Sequence, residues 1–398
     1  MRLSEERKIS IYLYIVLLVN QSGVQLPFLN FMTGNNQIIL AGLLLVIGLF
    51  LFYKRRRMPA HSLGMKFFWW LLVAIVVSIF MADWLWGQDF RTSILLYRHN
   101  IWLLYLPLLF YIKPNVKSIS NALFAFTITV GLVWIGQAIG LITVNFRESI
   151  WGEVLDGRNE FGGYNMPGIR IACFSLYLFL GEMATEYSAT KLLKVIIASV
   201  VVVLSAQRAM MLFALPLTAY VFLFKMKIST PKKIAVAIIF SVFAITFFTR
   251  TGDVWNSFIS ETTEQLGDKD YNRWMAVDYF LNNYSKNTLS LLLGNGFLSL
   301  KNAGGRLVHE LGYLGIYIDD IGMLGVWVRY GLIPIVVLYY IVVKVLLSKS
   351  MPLYMKLMCI HIGFLPTSWT LVGFHYFVFI FLIYFYCLNC SIISTNNA

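Results

Sequence analysis

From Lys191 to Lys227 the chain reads KLLKVIIASVVVVLSAQRAMMLFALPLTAYVFLFKMK, an apolar run carrying Gln207 and Arg208 near its middle. Residues 192–224 number 33, about 50 Å as one helix at ~1.5 Å per residue, which overshoots a bilayer core of about 30 Å. Lysines sit at both ends, Lys191 and Lys194 before the run and Lys225 and Lys227 after it. Positive flanks mark the cytoplasmic side of a membrane span. The segment is therefore expected to be a hairpin of two short helices turning at 205–208, with Arg208 delivered to the opposite face.

The rest of the chain repeats the pattern. Of 398 residues 59% are hydrophobic and 13% charged, with mean hydropathy +0.72, against roughly 45–50% apolar for a soluble domain. Apolar runs of helix length fall near 10–31, 37–53, 67–86, 94–112, 121–142, 169–187, 192–206, 208–224, 234–248, 322–347, 356–372 and 374–393. Strict alternation is absent, so the runs read as helices and not as barrel strands. The expected fold is an all-α polytopic membrane protein of about twelve spans, a single integral domain over 1–398. The first run lacks a small-residue cleavage site and is followed at once by others, so it is expected to be a span and not a removed signal.

With the N-terminus inside, the basic clusters at 54–57, 113–117, 191–194, 225–233 and 344–356 are all expected in the cytoplasm, as are both termini. Inside stand 14 Lys and 5 Arg; outside stand 10 Arg and 3 Lys. The outer arginines are Arg91, Arg98, Arg147, Arg158, Arg170, Arg208, Arg250, Arg273, Arg306 and Arg329. Lysine is a hydrated point charge adequate for orientation, whereas the planar arginine fork binds phosphate oxygens in pairs and keeps its charge when partly buried. An arginine-rich outer face suits a phosphate or pyrophosphate ligand. Salt bridges to outer acids such as Asp83, Asp89, Glu148, Asp156 and Asp253 are the competing explanation for any one loop arginine. Arg208, at a hairpin tip with little polar sequence around it, is costly there unless it serves a ligand or a cavity.

Two outer segments are long. Residues 143–168 mix arginine, acids, glycine and aromatics. Residues 249–321, 73 in number, contain Trp274, Val277, Phe280 and Leu281 at helical spacing, which predicts short amphipathic helices on the outer surface between the ninth and tenth spans. This segment gathers Arg273, Arg306, His309, Glu310, Asp319 and Asp320 just before the chain re-enters the membrane. His309 with Glu310, or either aspartate, would serve as a general base.

Other signals are bland. Cys387 and Cys390 form a CxxC inside the last apolar run, without polar neighbours for redox or zinc chemistry, and four cysteines indicate no disulfide framework. There is no phosphate-binding Gly-rich loop and no HExxH. The net charge of +13 is spread over loops on both sides, which suits membrane orientation and anionic lipid better than nucleic acid.

The hairpin bearing LSAQRAMM, the large outer segment with NRWMAVDYF and then LLLGNGF, and the closing IDDIGMLGVWVRYGLI together resemble the bacterial O-antigen ligase and Wzy-type polymerase superfamily. That family has a Ser-x-Ser-Arg-like motif opening a span, an arginine with a following aromatic in the outer loop, and a Gly-x-Gly after it. Here Arg208 is kept, with Gln207 where a second serine is usual; Arg273 and Trp274 match the loop arginine, and Gly294 and Gly296 the glycine pair. Where ligases place a His-Asn pair, this chain has Asp319 and Asp320, and His309 lies out of register, which favours the polymerase branch.

The resemblance implies glycosyl transfer on the outer face of the cytoplasmic membrane. The donor would be an oligosaccharide on undecaprenyl pyrophosphate and the acceptor a sugar hydroxyl of another lipid-linked repeat unit. Arg208 and Arg273, then Arg158 and Arg306, would hold the pyrophosphate. The base would be Asp319, Asp320, Glu310 or His309. No cofactor or bound metal is expected, and a chain-length regulator protein is a further expected partner. Rival expectations are an O-antigen ligase and a lipid-linked oligosaccharide flippase, but a transporter should show two related halves and midplane charges, and only the second half carries the 73-residue insertion.

Overall fold

The computed structural model describes residues 4–21, 34–53, 63–139, 168–204, 208–226, 272–319, 321–364 and 379–388, with 29, 32, 141, 230, 231 and 234 besides. All regular structure among them is helical, and no strand occurs. The elements are α1 (Glu5–Asn20), α2 (Gly34–Leu51), α3 (Leu63–Trp86), α4 (Phe90–Leu96), a 3-10 stretch (Tyr97–Leu104), α5 (Tyr105–Ile112), α6 (Val116–Ala138), α7 (Ile169–Thr185), α8 (Ala189–Leu204) and α9 (Arg208–Tyr220). After residue 271 follow α10 (Asn272–Asp278), a π turn (Tyr279–Tyr284), α11 (Thr288–Leu293), α12 (Ala303–Tyr313), α13 (Met323–Tyr330), α14 (Leu332–Leu347), α15 (Leu353–Phe364) and α16 (Phe379–Leu388).

A helix apolar all round must lie inside, and α7 does: every residue from 171 to 181 is buried, packed among α6, α8, α9 and α15. The helices around it are apolar outside as well. On α3 Trp69, Val73, Val76 and Phe80 form an exposed stripe at steps of four and three; Val336, Tyr340, Val343 and Leu347 on α14 and Ile39, Leu43, Val46 and Phe50 on α2 do the same. Three helices thus carry rows of large apolar side chains on their exposed faces. Two helices among the described residues, 63–86 and 116–136, are long and apolar enough to cross a membrane by length and composition; the other apolar helices are shorter.

Contacts sort the helix ends into two poles. At the first, Asn115 donates to Glu6 at 2.8 Å and the Tyr386 hydroxyl to the Pro114 carbonyl at 2.8 Å. Ser120 donates to Glu182, and Lys194 Nζ donates to Ser120 Oγ at 2.9 Å, so α6, α7 and α8 meet there. Phe67 stacks on Phe385 with centroids 4.4 Å apart, bringing the start of α3 to the same pole. Lys66, Lys113, Lys117, Lys191, Lys194 and Lys356 lie at this end. The C-terminus of α3 meets the segment 272–330, and α7 begins, with Arg170, at the end away from Glu182.

That segment is a small cap with its own core. Ala276, Phe280, Tyr284, Leu311, Ile316, Ile318, Ile321 and Val328 cluster apart from the main core. Of the 33-residue run expected to fold back, α8 ends at Leu204 and α9 begins at Arg208, and the two helices are in contact; the expected turn at 205–207 lies outside the described residues. The apolar run 322–347 is not one helix. Gly331, at φ 80° and ψ −173°, separates α13 from α14; α13 lies between the two cores, with Met323, Val326 and Tyr330 in the main core and Val328 in that of the cap, and α14 continues into the bundle.

Candidate functional site

The cap is assembled on a loop that reads as an ordinary turn in the sequence. Asn287 caps α11, accepting from the Ser290 amide at 2.8 Å, and the helix stops at Gly294. Asn295 is wholly buried; its amide nitrogen reaches the Val328 carbonyl at 3.1 Å and its backbone N–H the same oxygen at 2.9 Å. The Gly296 N–H donates to the Arg329 carbonyl at 2.9 Å. Both glycines have positive φ, 88° and 76°, where only glycine sits without strain. A Cβ on Gly296 would lie 2.5 Å from the Ser78 carbonyl oxygen. The loop is thus wedged between α3 and the end of α13.

Side chains from the first quarter of the chain hold the loop from below. Gln88, 3% exposed, donates to the Phe297 carbonyl at 2.7 Å and accepts from the Ser299 N–H at 2.6 Å. The Phe297 N–H donates to the Tyr97 hydroxyl at 3.1 Å, which itself meets Ser78 Oγ at 2.7 Å. Trp86 stacks on Tyr284 at 5.1 Å between centroids, Lys286 Nζ lies 3.9 Å from the Trp86 ring centre, and Asn302 donates to the Trp86 carbonyl. Burial pushes the Tyr284 phenol well above its usual value, with the nearby guanidinium of Arg329 pulling the other way.

Arg329 occupies the centre of this assembly. It is 9% exposed, lies over the Phe297 ring with its guanidinium carbon 4.3 Å from the centroid, and forms an ion pair with Asp319. A charge taken out of water needs such a partner. The partners differ in exposure: the Arg329 side chain is 10% exposed and that of Asp319 35%. The anion is therefore the end of the pair that faces outward.

The residues singled out in the sequence are dispersed around that pair. Asp319 is joined to Arg329, an arginine that the charge count places on the outer face but that no motif distinguished; an arginine directly before the Tyr-Gly that ends an amphipathic run was the signal available. Arg273 on α10 and Arg306 on α12 are exposed, and Arg306 donates to the Lys301 carbonyl at 3.4 Å. His309 and Glu310 are exposed on α12, and the imidazole Nε2 of His309 meets the Tyr313 hydroxyl at 3.0 Å, one turn along the helix. Adjacent residues on a helix do not face each other, so the His309 ring is oriented by Tyr313. Arg208 opens α9. Arg158 and Asp320 lie outside the described residues, as does Cys390, while Cys387 is buried in α16. Among the described residues no three His, Cys, Asp or Glu side chains converge to hold a metal ion.

Chemically, the cap offers one carboxylate with an oxygen tied to a buried guanidinium, in a face that also carries exposed arginines. A fixed carboxylate can orient and deprotonate a hydroxyl, and guanidiniums stabilise a departing phosphate. The chain matches no family model, no curated protein and no solved structure.

Proposed function

We propose that the chain is a multi-pass glycosyltransferase of the bacterial cytoplasmic membrane that polymerises oligosaccharide repeat units carried on undecaprenyl pyrophosphate. The observation that supports the reading is the distribution of basic residues: lysines gather at one pole of the bundle, while the folded cap bears Arg273, Arg306 and Arg329 beside Lys286 and Lys301. Lysine-flanked ends belong in the cytoplasm, which supports a reading with the cap on the outer face, where lipid-linked repeat units would await elongation. The apolar stripes of α2, α3 and α14 support contact with lipid. Helices of 16 to 18 residues such as α1, α8, α14 and α2 measure about 24–27 Å, so the bilayer thins slightly around them.

In this reading Arg208 and Arg273, with Arg158 and Arg306, hold the donor pyrophosphate. A hydroxyl oxygen of the acceptor unit attacks the anomeric carbon of the donor. The bond from that carbon to the phosphate oxygen breaks, and undecaprenyl pyrophosphate leaves with the electron pair. The hydroxyl proton passes to a carboxylate or imidazole of the cap; Asp319 stands first, with Asp320, His309 and Glu310 the other candidates. Guanidiniums fixed before the reaction stabilise the charge growing on the leaving oxygen.

The test is a gel of surface polysaccharide and of lipid-linked intermediates from a strain lacking the gene, complemented with wild-type or Arg208→Ala protein. Single repeat units that still reach their acceptor while long chains vanish identify the polymerase, and failure of the Arg208→Ala copy at normal protein level assigns Arg208 to it. Long chains accumulating on the carrier lipid would make the protein a ligase instead. A fully active Arg208→Ala protein would falsify the assignment of that arginine.

A further inference from the structure

We infer that Arg329 is a positioning residue that aims the Asp319 carboxylate at the acceptor hydroxyl; this rests on the polymerase reading above. Three observations carry it. First, the guanidinium lies on the Phe297 ring and is bonded to Asp319, while the residue's backbone carbonyl accepts from Gly296. Second, the backbone on which it stands cannot drift, because Asn295 holds the Val328 carbonyl twice and Gly294 and Gly331 pack against each other's neighbours too closely for a side chain. Third, the exposure is one-sided, with the cation sequestered and the carboxylate reaching the surface.

An ion pair contributes little net stability, since exposed pairs are weak and the desolvation of buried ions can exceed the attraction between them. Here a desolvated cation is spent on holding one oxygen of an accessible anion. Asp319 sits in the turn between α12 and α13, a place where a side chain would otherwise sample several rotamers. Tethered to Arg329, it keeps one. Reaction rates depend on such alignment to within about an ångström, and a carboxylate with one oxygen occupied presents its other to a hydroxyl from a defined direction. Lysine in place of Arg329 would keep the charge but not the planar fork that sets that direction.

The test uses the full-length protein in lipid nanodiscs and, as substrate, the undecaprenyl-pyrophosphate-linked repeat unit extracted from the deletion strain. Arg329→Lys, Arg329→Gln, Asp319→Asn and the Arg329→Gln/Asp319→Asn double variant are compared for kcat, for KM and for thermal midpoint. Asp319→Asn is expected to lose about a hundred-fold or more in kcat, as for a removed base. Arg329→Lys should lose about ten- to hundred-fold in kcat at unchanged KM, and Arg329→Gln should add no further loss to Asp319→Asn. Should Arg329→Gln fail to fold, Arg329→Lys decides, since it retains the buried charge. Wild-type kcat in a folded Arg329→Lys protein, or a change confined to KM, overturns the inference. If wild type polymerises and Asp319→Asn keeps its kcat, the positioning role alone falls; if wild type makes no polymer from this substrate, the polymerase reading falls first.

Discussion

Gly294 and Arg329 are in such close backbone contact that a Cβ on the glycine would collide with the arginine's carbonyl oxygen. Gly294 also has φ 88° and ψ 169°, a conformation essentially reserved for glycine. Gly294→Ala is therefore expected to destabilise the cap by at least ~1–3 kcal/mol and to reduce polymer formation with it. A lowered thermal midpoint of the purified protein, together with faster proteolysis within 272–330, would bear this out; an unchanged midpoint would mean that the loop relaxes at little cost.

At the opposite pole Lys194 and Glu182 form an ion pair at 4.0 Å with side chains only 11% and 17% exposed, bridged by Ser120. Removing one partner leaves the other charged and buried. Lys194→Met and Glu182→Leu should each cost about 3–5 kcal/mol, and the double variant much less than the sum. Unfolding of the four proteins in one detergent measures this, and additive losses would argue that the pair is not energetically coupled.

Asp89 caps α4, accepting from the Thr92 N–H at 2.8 Å, and those bonds hold its carboxyl below the usual value near 3.8. A folded-state value below the unfolded one adds stability above the unfolded pKa and loses it as pH falls through the folded one. Amides of Phe90–Leu96 should thus exchange faster at pH 3 than at pH 6 after correction for intrinsic rates. Asp89→Asn, which still caps but does not titrate, should flatten that dependence.

Orientation can be read directly. Lys301→Cys, on the exposed cap, should react with a membrane-impermeant maleimide added to intact spheroplasts, and Lys191→Cys should react only after permeabilisation. The described native cysteines, Cys173, Cys359 and Cys387, are buried and give little background. Labelling of residue 191 from outside would invert the arrangement of poles.

The helical character of the chain was legible because apolar run length is a local property of the sequence. The break at Gly331 was not: a hydropathy average over 322–347 is blind to one backbone conformation forced by contact with Leu292 and Leu293. The Asp319–Arg329 pair was hidden for a related reason. Its two members are brought together by the turn at Gly315 and Gly322, which has no periodicity to detect. The glycine loop looked like a turn because its partners, Ser78, Gln88 and Tyr97, lie some 200 residues earlier. Arg273, Arg306, His309 and Glu310 do lie on helices, yet spacing alone does not say that His309 turns to Tyr313 and not to Glu310.

The distance along the chain between Gln88 and Ser299 also sets a schedule. Both must exist before the loop can seat, and Arg329 is made later still, so a ribosome has released most of the polypeptide before this end of the molecule can close. Non-local contacts of this kind form slowly. A copy cut short before Arg329 therefore leaves the cap without its central ion pair, however well the first helices have packed.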